Sequence, residues 1–435
     1  VRGGVTTFFT MSYILFVQPA FLAAAGMDPG AVLTATCVAS GVATLIMGLW
    51  ARYPVALAPG MGVNAFFAFT VCGAMGVPWQ QALGLVFMSG VLFLALGLFG
   101  LRERVVAMVP TSLQHAIAAG IGLFITFLGL KEAGVIVPDP NTFVDVGALG
   151  TRQAPVLTAL VGVVVAGVAA ARKHAAAVVC GMLASLIVGL ALGVVTWQGA
   201  FAAPPSLAPT AFQLSLHGLF TPTRLGLVLL FLYTDLFDTV GTLIGVGRSA
   251  GLVDADGKMP RVSRAFFADA FGTVVGAVLG TSTVTSYIES GAGVAAGART
   301  GLAACVTGLL FFAALFFAPM AQTVGGGVPV EVLMFASTGP VSHTIVLHPV
   351  IAPALVLVGA MMAGALRDID WGDPVEALPA FATLVGIPLT FSIADGISFG
   401  VIAASALRLA TGRPASAALH GVALALIARW VAELV

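Results

Sequence analysis

Five acidic residues stand within or at the edge of long apolar runs: Asp235, Asp238, Asp269, Glu289 and Asp395. The amides of Gln18 and Asn64 lie at similar depth. An ionisable group in hydrocarbon surroundings costs on the order of 3 kcal/mol, so each of these positions asks for a chemical reading. Asp235 and Asp238, in Tyr233-Thr234-Asp235-Leu236-Phe237-Asp238-Thr239, are three residues apart and share a helical face. Two carboxylates so placed suit proton uptake and release; the alternative, that they only bond neighbouring threonines and backbone groups, applies more to Asp235 than to Asp238. Glu289 has no basic residue nearby in sequence, and it can accept hydrogen bonds from a ligand N–H or carry a proton. Asn64 offers a heterocycle both a donor and an acceptor, or else caps a helix. Asp269, heading Asp269-Ala270-Phe271-Gly272-Thr273, reads as a scaffold residue that binds backbone groups freed by a broken neighbour. Asp395, between two short runs, reads as a cap or turn residue. Phe66 and Phe67 follow Asn64 and are better explained by packing than by stacking on a flat ligand. The six histidines fall outside these segments with no metal-ligand spacing, and the four cysteines read as small buried hydrophobes.

The surroundings of these residues define the class of protein. Of 435 residues, 59% are hydrophobic and 8% charged, and the mean hydropathy is +1.08. So few charges exclude a soluble enzyme or a disordered chain, and a net charge of zero leaves no field to attract nucleic acid. A bilayer core about 30 Å thick needs roughly 20 apolar residues per helix. Such runs occur at 4–25, 31–50, 54–73, 78–100, 112–130, 154–171, 175–195, 225–247, 264–280, 282–297, 299–320, 348–366, 375–391 and 394–411. With the N-terminus in the cytoplasm and alternating spans, the cytoplasmic ends collect Arg2, Arg52, Arg102, Arg104, Arg172, Lys173, Arg248, Lys258, Arg261, Arg264, Arg299, Arg367, Arg408 and Arg413. The outside receives only Lys131, Arg152 and Arg224. A miscounted helix would scramble that bias. A last apolar stretch, 416–433, contains Arg429 and either spans or lies on the surface. The chain opens at Val1, close to an apolar run and with no visible cleavable signal peptide, so a few preceding residues are expected to be missing.

Two runs cannot be continuous helices. The third reads Tyr53-Pro54-Val55-Ala56-Leu57-Ala58-Pro59-Gly60-Met61-Gly62-Val63-Asn64, and its prolines and glycines predict a short extended piece followed by a half-helix from near Gly60. The tenth, Gly280-Thr281-Ser282-Thr283-Val284-Thr285-Ser286-Tyr287-Ile288-Glu289-Ser290-Gly291, is hydroxyl-rich and β-branched before turning to Gly and Ala, and predicts the same. Third and tenth are seven spans apart. Seven is odd, so two halves of that length are inverted relative to each other. Interrupted helices at corresponding positions of two halves point to a transporter's binding site, with both half-helix N-termini facing one cavity.

Several motifs together resemble the AzgA-like purine permeases of the nucleobase/ascorbate transporter superfamily. They are Thr6-Thr7-Phe8-Phe9-Thr10-Met11-Ser12-Tyr13-Ile14 with Val17-Gln18-Pro19, Ala58 to Phe67, Asp235 to Thr242, Gly280 to Gly293, and Pro388 to Ile397. The resemblance implies an all-α polytopic fold of about fourteen spans in two inverted seven-helix repeats, with short extended pieces in the broken spans three and ten. It implies a substrate-carrying core (1–103 and 198–322) and a gate domain (104–197 and 323–435), often dimeric. It implies import of hypoxanthine, guanine or adenine by proton symport, with an elevator-like shift of core against gate. Substrate contacts are carried onto Asn64, Asp238 and Glu289, and onto the backbone at Gly62 and Ser290. Glu289, Asp238 and Asp235 are the candidate proton carriers, and Gln18, Asp269 and Asp395 the structural polar residues. No cofactor is implied beyond the proton gradient. Two departures stand out: Gln18 occupies a position usually held by Asn, and 325–347 is longer than usual, as a surface loop or re-entrant piece.

The partners expected are a purine base, protons and lipid. The Ala, Gly and Val content suggests a GC-rich bacterial source and hence the inner membrane, with both termini cytoplasmic. A sulfate or bicarbonate transporter of similar architecture competes, although two carboxylates would repel its substrate. An intramembrane aspartyl enzyme is remote, because Asp235 and Asp238 lie on one helix. A channel needs no pair of inverted broken helices.

Overall fold

The computed structural model describes all residues except 99–109, 140, 141, 147, 148, 253–258, 337, 338 and 435. Arg102, Arg104, Lys258 and the expected domain boundary at 103/104 therefore lie outside the described residues. Helix occurs in each of the fourteen apolar runs. Among the described residues nine helices are long and apolar enough to cross a membrane: Arg2–Ala24, Pro29–Ala51, Trp79–Gly97, Thr111–Glu132, Gly150–Ala171, Thr223–Ser249, Val262–Leu279, Gly301–Gly325 and Ile393–Ala410. The runs that fall short include the two broken ones, together with Ala177–Ala191, Ala352–Met362 and Pro374–Leu389. The molecule is a mostly helical, multi-pass membrane protein.

Local sequence sets several helix starts. Asp28 precedes Pro29 and accepts from the Ala31 N–H at 2.7 Å, and Asp373 precedes Pro374 and accepts from the Val375 N–H at 3.0 Å. Thr221 caps the long Pro222–Ser249 helix in the same way. Proline is favoured there because the first N–H of a helix has no intrahelical partner to lose. Between helices, lipid supplies no hydrophobic drive, so small residues set the close approaches. A Cβ on Gly301 would lie 1.9 Å from the Gly48 carbonyl oxygen, and one on Gly359 would lie 2.3 Å from that of Gly122.

Packing sorts the helices into two groups. Arg2–Met11 packs on Gly301–Ala314, which also meets Pro29–Ile46, while Val262–Leu279 lies against Trp79–Leu98 and Pro29–Ile46. Thr111–Glu132 packs instead on Ala352–Met362 and Pro374–Leu389; Gln153–Ala171 pairs with Ala177–Ala191, and Pro374–Leu389 with Ile393–Ala410. The last helix, Ala417–Leu434, packs on Ile393–Ala410, where Ser405 Oγ and His420 Nδ1 are 2.8 Å apart.

Among the described residues six strands interrupt the helices. Strands β1 (Leu57–Pro59) and β4 (Val284–Ser286) pair antiparallel, with Leu57 opposite Ser286, Ala58 opposite Thr285 and Pro59 opposite Val284. Strands β2 (Val137–Asp139) and β3 (Phe143–Asp145) form a small hairpin. Strands β5 (Val328–Ala336) and β6 (Gly339–Leu347) form a nine-residue hairpin. The surface loop or re-entrant piece expected at 325–347 is, over its described residues, a paired ribbon.

The β1–β4 ladder is buried on both strands, so its outward backbone groups need side-chain partners. The Thr44 hydroxyl donates to the Leu57 carbonyl at 3.0 Å and accepts from the Leu57 N–H at 2.9 Å. Ser290 Oγ accepts from the Ala56 N–H at 3.0 Å, and Tyr287 Oη donates to the Pro59 carbonyl at 2.5 Å. Thr44→Val keeps the shape and strands both Leu57 groups. It is expected to destabilise the protein by about 2–4 kcal/mol, read as a lower melting temperature in detergent. An unchanged midpoint would mean that another group satisfies Leu57.

Candidate functional site

The half-helix Met61–Ala65 starts directly after β1, with Gly60 as its N-cap, and continues as a wide turn through Ala74. The half-helix Ser290–Ala295 follows β4, with Glu289 at its N-cap position. Gly60 donates its N–H to the Thr283 carbonyl at 3.0 Å, and Tyr287 donates to the Ala56 carbonyl at 2.9 Å. The ladder therefore extends to both half-helix starts and holds them beside each other. A Cβ on Gly60 would lie 3.6 Å from Asp238 Oδ2, so the middle of the Pro222–Ser249 helix reaches the same spot.

The acidic residues divide into two kinds. Asp235 is buried, and its Oδ2 lies 3.0 Å from Thr273 Oγ1, itself 3.0 Å from the Val284 carbonyl. Asp269 is buried, and its Oδ1 accepts from Ser286 Oγ at 2.7 Å. Both carboxylates thus brace β4 from behind. Thr239 and Thr285, whose hydroxyls are 3.0 Å apart, tie the Asp238-bearing helix to the same strand. Asp238 is exposed and makes no hydrogen bond among the described residues. Glu289 is 7% exposed, and its Oε1 accepts from Tyr13 Oη at 2.7 Å. Asp235 and Asp238 therefore do not share one environment, as a common helical face suggested: three residues of helix turn one toward the scaffold and the other toward the opening.

Asn64 is fully buried, on the fourth residue of its half-helix rather than at the cap. Its Oδ1 accepts from Ser282 Oγ, and Ser282 in turn accepts from Gln18 Nε2 at 3.0 Å. Gln18 also reaches Thr281 Oγ1 at 3.0 Å, and Thr281 meets Thr36 at 3.0 Å. Asn64 thus belongs to a polar network with Gln18, and no hydrogen bond joins it to Asp238 or Glu289; its Nδ2 is left as a buried donor without a partner. Gly62 faces the Thr111–Glu132 helix, where a Cβ would lie 2.4 Å from Ile121 Cγ2. Ser290 spends its hydroxyl on Ala56. Asp395 sits in the first turn of Ile393–Ala410, where the cap is Ser392, whose Oγ accepts from the Asp395 N–H at 3.2 Å. Phe66 packs on Phe231 with ring centroids 5.0 Å apart, and Phe67 is fully buried.

Three residues at or near this site escaped the reading of charges and amides. Tyr13, at a turn between Arg2–Met11 and Ile14–Ala24, bonds Glu289, and Tyr287 and Ser282 organise the two strands. Away from the site, Glu132 closes the Thr111–Glu132 helix as a buried carboxylate 2.7 Å from His348 Nδ1 and 3.6 Å from Lys131.

A multi-pass helical fold with two paired half-helices and two carboxylates not spent on bracing the strands fits a membrane transporter rather than an enzyme. The model of the permease family, the group of xanthine/uracil permeases, matches residues 1–346, and the chain belongs to that family. It is 42% identical to the adenine permease AdeP of Escherichia coli, over 95% of this chain and 87% of that protein. It is 45% identical to the guanine/hypoxanthine permease PbuG of Bacillus subtilis, over 92% of this chain and 88% of that one. Among solved structures, the transmembrane domain of the cyanobacterial bicarbonate transporter BicA superposes with a TM-score of 0.61 at 18% identity, covering 92% of this chain and 96% of that one. At that identity the likeness is one of fold.

The contact at Gly62 is testable. Gly62→Ala drives a methyl into Ile121 and is expected to destabilise the protein by about 1–3 kcal/mol. Ile121→Ala in the same chain is expected to recover part of the loss. Additive losses in the double variant, measured by thermal unfolding, would show that the two positions do not meet.

Proposed function

We propose that this permease imports purine nucleobases by proton symport across the bacterial inner membrane. The names of its relatives AdeP and PbuG supply the substrate class, and the observation that carries the reading is the pair of carboxylates beside the half-helix starts, Glu289 at one of them and Asp238 on the Pro222–Ser249 helix next to Gly60. Asp238 has no hydrogen-bond partner and Glu289 has one oxygen engaged, and no Lys or Arg pairs with either among the described residues. Such a site accepts hydrogen bonds from ring N–H and exocyclic amino groups. A neutral base settles against Gly60 between the half-helices, with Asp238 and Glu289 as acceptors and the free Asn64 Nδ2 as the available donor of that amide. The backbone at Gly62 and Ser290 lines the same pocket. A proton on Glu289 or Asp238 travels with the base, because an unpaired charge is costly to carry through the bilayer. Asp235, engaged with Thr273, is the weaker proton candidate.

The fourteen runs form two inverted seven-span repeats in this reading, with both termini cytoplasmic. Residues 1–103 and 198–322 are the core, and 104–197 and 323–435 the gate; the sorting of helix contacts supports that division. Import proceeds by a rigid shift of core against gate that withdraws Ile121 from Gly62. The gate is a natural face for a homodimer. An anion transporter remains the second reading, on the strength of the BicA-like fold, and the two carboxylates disfavour it.

Uptake of radiolabelled adenine, hypoxanthine and guanine into a host without purine permeases tests the proposal. Saturable uptake abolished by a proton uncoupler is expected, with Glu289→Gln and Asp238→Asn each reducing uptake at least about tenfold, the loss of one charge-assisted hydrogen bond. Uptake of bicarbonate or sulfate and of no base would support the second reading.

A further inference from the structure

We infer that Tyr13 is a positioning residue for substrate recognition: its hydroxyl holds Glu289 in one orientation and leaves a single carboxylate oxygen to the ligand. The inference rests on the proposed role of Glu289 as an acceptor of substrate hydrogen bonds. Tyr13 is 1% exposed and lies on the first transmembrane helix, 276 residues from its partner. Its place is fixed by a turn: Met11 ends one helical segment, Ile14 begins the next, and Tyr13 accepts from the Phe16 and Val17 N–H groups at 3.0 Å each. The ring centroid is 6.4 Å from that of Tyr287, whose own hydroxyl is committed to the Pro59 carbonyl. Of the two tyrosines, only Tyr13 therefore serves Glu289.

A phenol has one proton to give. With that proton donated to Oε1, Glu289 cannot rotate freely between rotamers, and Oε2 is the atom left to meet a ligand N–H or to hold a transported proton. The half-helix geometry does not do this job. Glu289 occupies an N-cap position yet makes no side-chain cap bond to its own helix, so Tyr13 is the side chain that orients its carboxylate.

The test is saturation kinetics of purine uptake by Tyr13→Phe, normalised to the amount of protein in the membrane. The KM is expected to rise about tenfold, with the maximal rate per molecule held within about twofold, because the ring and its packing are kept while one buried charge-assisted hydrogen bond is lost. Site-specific 4-aminophenylalanine, which restores a donor at similar reach, should bring KM back toward wild type, and 4-fluorophenylalanine, equal in size without a donor, should not. These last two carry the test if Tyr13→Phe inserts poorly. An unchanged KM in the donor-free variants would overturn the inference, as would a fall in maximal rate or protein amount alone, the mark of a purely structural residue. Failure of the wild-type protein to take up any purine would instead remove the reading on which the inference rests.

Discussion

Backbone that leaves the helix inside a membrane must find partners within the protein, and this molecule is organised around six residues that do so. Strands β1 and β4 supply one another across their facing edges, but each also has an outer edge in a place without water. Thr44 and Thr273 reach those edges from other helices, and Tyr287 reaches Pro59 from just past the end of β4. The consequence is that helices far apart in sequence are stitched to one small ladder, and the elements that bear the site are positioned by the same bonds that make the interruption tolerable.

That arrangement explains why a site with four nearby aspartates and glutamates is not four equivalent carboxylates. Asp235 and Asp269 are consumed by the ladder's supports, through Thr273 and Ser286. Asp238 and Glu289 lie on the side the ladder leaves open. Chemistry and scaffold thus use the same residue types, and only the neighbours distinguish them. The amides divide in a related way: Gln18 and Asn64 join through Ser282, so the position where Gln replaces the usual Asn is a link in a buried chain of hydrogen bonds.

Much of this was legible in the sequence because the interruptions violate local rules. Two prolines and two glycines between Pro54 and Gly62 forbid a helix, and Thr281 to Ser286 favours extended backbone in an otherwise helical chain. The acids inside apolar runs were visible for the same reason. What sequence alone withheld was pairing across long separations. Nothing near Tyr13 announces Glu289, and nothing near Glu132 announces His348. The periodicity that placed Asp235 and Asp238 on one face was too coarse, since a 60° offset is enough to divide buried from open. At 325–347 the sequence leaves a surface loop and a re-entrant piece both open, although Val328 to Ala336 and Gly339 to Leu347 are rich in the β-branched and apolar residues that form the β5–β6 ribbon.

Pro59 gives the ladder a property beyond its bonds. Ala56, Ala58 and Gly60 turn toward β4, so the missing N–H of Pro59 points to the outer edge, where it leaves nothing to satisfy. Sliding β1 by a single residue would bring the proline into the paired edge and delete one of the few bonds the ladder has, while turning Leu57 and its neighbours to the wrong side. A two-stranded ribbon of three residues has little else to keep it in phase. Pro59 therefore fixes the phase of the pairing, and with it the alignment of the two half-helices that leave the ribbon.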